Sequence, residues 1–191
     1  MEVGHPILCL FGNSADATFP LILVIGREPN GPYPVTNRIG SYDFRSAPRC
    51  AFWNTAYGVA ARILGTNTRE LKQRSVLKDG SPVVFADALP QSIPNGTAAK
   101  HIRRGALSAM DVLRHVDNLF SHEAVIGRVQ LVIASGLQDD NFKTALRAIE
   151  RNCAELGLPL AQTAFFYGTN VPKIMDQLSE AQKELIRSVF A

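Results

Sequence analysis

At Gly26-Arg27-Glu28-Pro29-Asn30-Gly31 the apolar run LILVIG ends in a carboxylate set between a glycine and a proline. A carboxylate held stiffly at the end of a buried strand can orient a water molecule or take its proton. Asn30 and Gly31 can add backbone N–H groups and close approach to a ligand. The plainer reading of Glu28 is an exposed loop carboxylate, paired with Arg27 or capping a helix.

Two further groups carry possible chemistry. The segment KHIRRG gathers Lys100, His101, Arg103 and Arg104, which is either a solvated face or a grip on nucleic-acid phosphates. Phe44, set among Asp43, Arg45 and Ser46, has little reason to be core and can serve as a stacking platform for a planar ligand. Phe52 and Trp53 are expected to pack against a sheet.

Several chemistries lack their residues. No Gly-Lys-Ser or Gly-Lys-Thr, no Gly-x-Gly-x-x-Gly and no Gly-x-Ser-x-Gly follows any apolar run, which disfavours phosphate loops, dinucleotide binding and the serine-hydrolase elbow. Ser135 in IASG is expected to be structural. The four histidines, His5, His101, His115 and His122, have no metal-binding spacing, and His115 reads as a satisfied surface or boundary residue of a helix. Neither a metal nor a cofactor is expected. Cys9, Cys50 and Cys153 are too far apart for a Cys-x-x-Cys pair, and their odd number does not suggest a disulfide framework, so a reducing, cytoplasmic setting is expected.

The elements that must hold these residues are legible as well. At 191 residues and 46% hydrophobic, the chain suits one globular domain over 1–191, with a monomer as the expected state. A net charge of +3 and a pI near 8.9 suit a polyanionic partner, but also suit many ordinary enzymes. The N-terminal MEVGHPILCLFG has no basic leader, and no run of about 18 apolar residues occurs, which predicts neither a signal peptide nor a membrane protein.

Four apolar runs, LILVIG (21–26), PVVFADAL (82–89), VQLVIASG (129–136) and AQTAFFYG (161–168), read as strands covered on both faces. Helical patterns lie between and after them. AFWNTAYGVAARILG stops at Gly65, GALSAMDVLRHVDNLF places Leu107, Met110, Leu113 and Val116 on one stripe, DDNFKTALRAIERNCAELGL stops at Gly157, and SEAQKELIRSVFA opens with a Ser179/Gln182 capping box. Alternating strands and helices predict an α/β fold, a three-layer α/β/α sandwich around a four-stranded, mostly parallel sheet. Ligands of such sheets sit beyond the carboxyl ends of the strands, here GREPNGP, DALPQSIPNG, SGLQDDN and YGTNVPK. The Pro- and Gly-rich segment 31–49 has little regular patterning and reads as either a functional or a mobile loop.

Over residues 8–178 this order of parts resembles the uracil-DNA glycosylase superfamily, and most nearly its mismatch-specific uracil and thymine branch. GREP resembles the family's first-strand motif, and FRSAPRCAFW, from Phe44 to Trp53, its stacking phenylalanine and following Phe-Trp helix start, one residue longer. The resemblance implies that Glu28 orients water, that Phe44 stacks the base, and that Asp87, in VVFADALP, reads the base edge together with Gly26, Arg27, Pro29 and Asn30. It further implies that Asn170 in YGTNVPKI stabilises the departing base, and that Lys173 and the KHIRR cluster bind phosphate. The implied activity is hydrolysis of the N-glycosidic bond of uracil or a mismatched base in DNA, with base flipping, as in base excision repair. Glu stands where the family has Asp or Asn, and the Pro-Ser of its last motif is absent. The iron–sulfur branches need four cysteine ligands and the chain has three. Two other readings remain: a non-enzymatic relative that binds nucleic acid or protein, and an enzyme acting on free nucleosides or nucleobases.

Overall fold

Short β-branched runs cannot satisfy their backbone groups alone and must pair into a sheet. In the computed structural model, which describes residues 9–10, 21–27, 51–77, 82–89, 107–123, 125–164 and 170–190, they form β1 (Cys9–Leu10), β2 (Leu21–Gly26), β3 (Val83–Asp87), β4 (Val129–Ser135) and β5 (Leu160–Thr163). The order across the sheet is β1-β3-β2-β4-β5. The four longer strands are parallel, as expected, and the two-residue β1 adds an antiparallel edge to β3. The last strand starts one residue earlier than its expected 161–168 and ends at Thr163.

The helices are α1 (Ala51–Leu64), α2 (Thr68–Leu77), α3 (Ala109–Phe120), α4 (Lys143–Leu156, entered through a 3-10 turn at Asp140–Phe142), α5 (Val171–Met175) and α6 (Glu180–Phe190). Alternation along each strand divides the core. Leu23 and Ile25 of β2 face α3 and α4, through Val116, Leu119, Ala145 and Ile149. Ile22 and Val24 face the other layer, where Tyr57, Ala60, Leu71, Ile174 and Ile186 come from α1, α2, α5 and α6. The three-layer α/β/α sandwich is thus built as expected, and its central strand is fully buried on both faces. Among the described residues no helix is long and apolar enough to cross a membrane.

Two helices differ from the sequence reading. The stripe of α3 is turned: Met110 is 63% exposed, while Val112, His115, Val116, Leu119 and Phe120 are buried. Ser108 fixes this phase by capping the helix, its Oγ accepting from the Asp111 N–H at 3.1 Å. Counting His115 as polar hid the i, i+3, i+4, i+7, i+8 face it completes. The polar α2 carries no apolar stripe to announce it in the sequence, yet Asn67 and Glu70 form its start: Asn67 Oδ1 accepts from the Glu70 N–H at 2.8 Å and Asn67 Nδ2 donates to the Glu70 carboxylate at 3.1 Å. The α6 capping box forms reciprocally, at 2.9 Å from Ser179 N–H to Gln182 and 3.2 Å from Gln182 N–H to Ser179 Oγ.

The connection from β2 to β3 carries α1 and α2 over one face, and the connection from β3 back across β2 to β4 carries α3 over the other. The chain therefore changes direction at β2, and in open α/β sheets the crevice that takes the ligand lies at such a switch point, here between the carboxyl ends of β2 and β4.

Candidate functional site

Register decides which residues share the carboxyl edge. Gly26 pairs with Asp87, Ile25 with Ala134, and Ser135 with Thr163. The corner after β2 is tied to the turn after β3 by two backbone bonds, Ala88 N–H to the Gly26 carbonyl at 3.0 Å and Leu89 N–H to the Arg27 carbonyl at 3.1 Å. Across the crevice the Gly136 N–H donates to the Thr163 carbonyl at 2.8 Å. These bonds hold Gly26, Arg27 and Asp87 side by side, with Glu28 next in the chain.

The Arg27 side chain crosses the crevice toward β4. Its stem lies on Gly136, where φ is +72° and a Cβ would stand 3.1 Å from Arg27 Cδ and 3.2 Å from Cγ, so glycine is needed both for the backbone and for the passage of the arginine. The guanidinium lies 4.7 Å from the centroid of the Phe142 ring, and Nη2 donates to Asp139 Oδ2 at 2.9 Å. Asp139 is held in turn as the cap of the 3-10 turn, its Oδ1 accepting from Asn141 N–H at 2.8 Å and Nδ2 at 2.7 Å. Stacking contributes about 0.5–1 kcal/mol at an exposed site and the ion pair about 0–1 kcal/mol, so together they fix the orientation of Arg27 more than they stabilise the fold. Its Nε is buried with no hydrogen-bond partner among the described residues.

His115 is buried, 2% exposed, and its Nε2 lies 2.8 Å from the Asp87 carbonyl. A carbonyl only accepts, so Nε2 carries the proton and Nδ1 keeps its lone pair, with no partner among the described residues. Burial holds the imidazole pKa below its ordinary value, against the smaller opposing effect of the Asp87 bond. The expected surface or boundary histidine is therefore an internal, neutral strut beneath Asp87. Its signal in the sequence was its place on the buried face of α3.

On the far side, Asn170 leads into α5 and its Nδ2 donates to Thr163 Oγ1 at 3.2 Å, the side chain of the last β5 residue. At about 4.8 Å per strand, Thr163 stands about 10 Å from Gly26 and about 14 Å from Asp87. Asn170 thus faces the crevice edge but not Asp87 directly. Its helix approaches α1 closely: a Cβ on Gly58 would lie 2.9 Å from Val171 Cγ2. Lys173, in the same short helix, is exposed.

Comparisons with protein-family models, with curated proteins and with solved structures find no match. The chemistry of the crevice is carried by its own residues. Of the expected site, Gly26, Arg27 and Asp87 lie together at the β2–β3 edge and Asn170 and Lys173 follow β5; Glu28, Pro29, Asn30, Phe44, Lys100, His101, Arg103 and Arg104 lie outside the described residues. Gly136 and Asp139 lie in SGLQDDN, one of the four expected strand ends, but no role follows for them or for Phe142 from the sequence, because nothing in it says that the β4 loop faces β2. Ser135 is buried and Cys153 is buried with its thiol pushed up to about 12 by burial and then by Glu150, so neither offers a ready nucleophile. Among the described residues no three His, Cys, Asp or Glu are grouped to hold a metal ion.

Proposed function

We propose that the protein is a DNA glycosylase of the uracil-DNA glycosylase type, hydrolysing the N-glycosidic bond of uracil or a mismatched base. The observation that carries this reading is the pairing of Gly26 with Asp87 on adjacent parallel strands, which sets the start of the GREP corner beside a carboxylate at the carboxyl edge. A base turned out of the helix would enter the crevice, stack on Phe44, and offer its edge to Asp87 and the backbone of the corner. Glu28 orients the water. The water oxygen bonds to C1′ as the C1′–N bond breaks, the electron pair leaves with the base, and the water proton passes through Glu28 to solvent. Asn170 stabilises the leaving base, while Lys100, His101, Arg103, Arg104 and Lys173 hold phosphates.

Base release from oligonucleotides containing uracil in a single strand, U:G or T:G measures this directly. Wild-type protein is expected to release at least one base, and Glu28→Gln to slow release by about a hundredfold or more, the ordinary worth of a positioned acid or base. Absence of release from every substrate overturns the reading. One observation favours a second reading, a non-catalytic nucleic-acid-binding module: the Asn170 amide is already engaged with Thr163. Binding to the same oligonucleotides without turnover would mark that case.

A further inference from the structure

We propose that Arg27 is an oxyanion-binding residue at the crevice between β2 and β4, taking a phosphate oxygen of the ligand. This rests on the DNA-binding half of the reading above and not on bond hydrolysis. It also adds a phosphate contact inside the crevice, apart from Lys173 and the segment after β3. Open α/β sheets receive their ligands where the strand order reverses, and Arg27 is laid across that position instead of extending into solvent.

Three groups from one loop build the arrangement. Gly136 gives passage to the stem, Phe142 supports the guanidinium plane, and Asp139 takes a single N–H through Nη2. A guanidinium has five N–H donors, and one bond to Asp139 leaves most of them unspent. The side chain remains 35% exposed, so a ligand can reach its terminal nitrogens without displacing the stem. The planar fork suits a tetrahedral oxyanion, and an arginine already stacked and paired loses little rotational freedom when it binds one. Asp139 opposes an anion, but it bonds Nη2 alone, so an oxyanion on the remaining donors lies nearer the positive charge than the negative one. The neighbouring Asp140 carboxylate is paired with Lys143 at 2.5 Å, which limits its contribution.

The test uses the whole protein with inorganic phosphate, a nucleoside 5′-monophosphate, a short single-stranded oligonucleotide and the same oligonucleotide with uncharged methylphosphonate linkages. Isotope-labelled wild-type protein is expected to show the Arg27 side-chain N–H signals shifting on addition of phosphate. Arg27→Met, which keeps an apolar stem against Gly136, is expected to weaken phosphate binding about tenfold or more. Loss of oligonucleotide affinity with a salt dependence reduced by about one ion identifies the strand backbone as the source. Loss confined to phosphate and the monophosphate identifies a free nucleotide instead. Arg27→Lys, retaining charge but not the fork, should fall between. Unshifted Arg27 signals in the wild-type protein, or unchanged phosphate binding by folded Arg27→Met, overturns the proposal whatever the outcome for base release.

Discussion

The two helical layers reach the carboxyl edge of the sheet by different physical means. From one side, α3 sends His115 into the core to bond the Asp87 carbonyl at 2.8 Å. From the other, α1 and α5 close on each other at Gly58, where a Cβ would stand 2.9 Å from Val171, and α5 brings Asn170 to Thr163. The first tie is directional and depends on protonation; the second depends on volume. The two halves of one crevice should therefore fail under different insults, acid on the Asp87 side and added bulk on the Asn170 side.

His115→Leu should break this contrast most strongly. It removes the donor that meets the Asp87 carbonyl beside the core, a loss of about 1–3 kcal/mol that urea denaturation above pH 6.5 would measure. Acid should then act on the wild-type protein through the same residue. The native imidazole pKa lies below the unfolded value of 6.5, so its contribution to stability is fully present above pH 6.5 and is lost as pH falls through the native pKa. Melting temperatures of wild type and His115→Leu followed down the acid range should converge; parallel curves would show that another group governs the acid limb.

Gly58→Ala sharpens the other half. Overpacking against the stiff Val171 side chain costs about 1–3 kcal/mol and the gain in helix propensity returns about 1 kcal/mol, so a net loss near 1 kcal/mol is expected, independent of pH. A loss that grew in acid would contradict the division. The smallest effect belongs to the bridge between the halves: Asp139→Asn keeps a capping side chain but removes the ion pair to Arg27, and because both partners are over a third exposed it should cost well under about 1 kcal/mol in chemical denaturation.

Much of the fold was legible. The run at 21–26 is β2 without adjustment, Gly65 and Gly157 close their helices in the left-handed conformation, and Ser179 with Gln182 starts α6. These features are local, written in a few consecutive residues. The phase of α3 differs from the expected stripe at Met110, because a buried histidine looks polar in the sequence and only its hydrogen-bond partner shows that it belongs to the buried face. The partner, the Asp87 carbonyl, lies 28 residues away. Of the candidate site, Gly26 and Asp87 were placed at strand ends by their sequence context, but their pairing follows from the sheet order.

By itself, the sequence determined the class of the protein: alternating buried strands and helices, an acidic corner after the first long strand, and no signature of phosphate loop, dinucleotide fold or serine elbow. Tertiary structure decided what the corner faces. That Arg27 crosses to Gly136, Asp139 and Phe142 depends on contacts 109 to 115 positions apart in the chain, and that His115 bonds the Asp87 carbonyl depends on one 28 positions apart. Local propensity carries no information over such separations; only the order of strands, fixed by packing two apolar layers on one sheet, brings these residues within bonding distance.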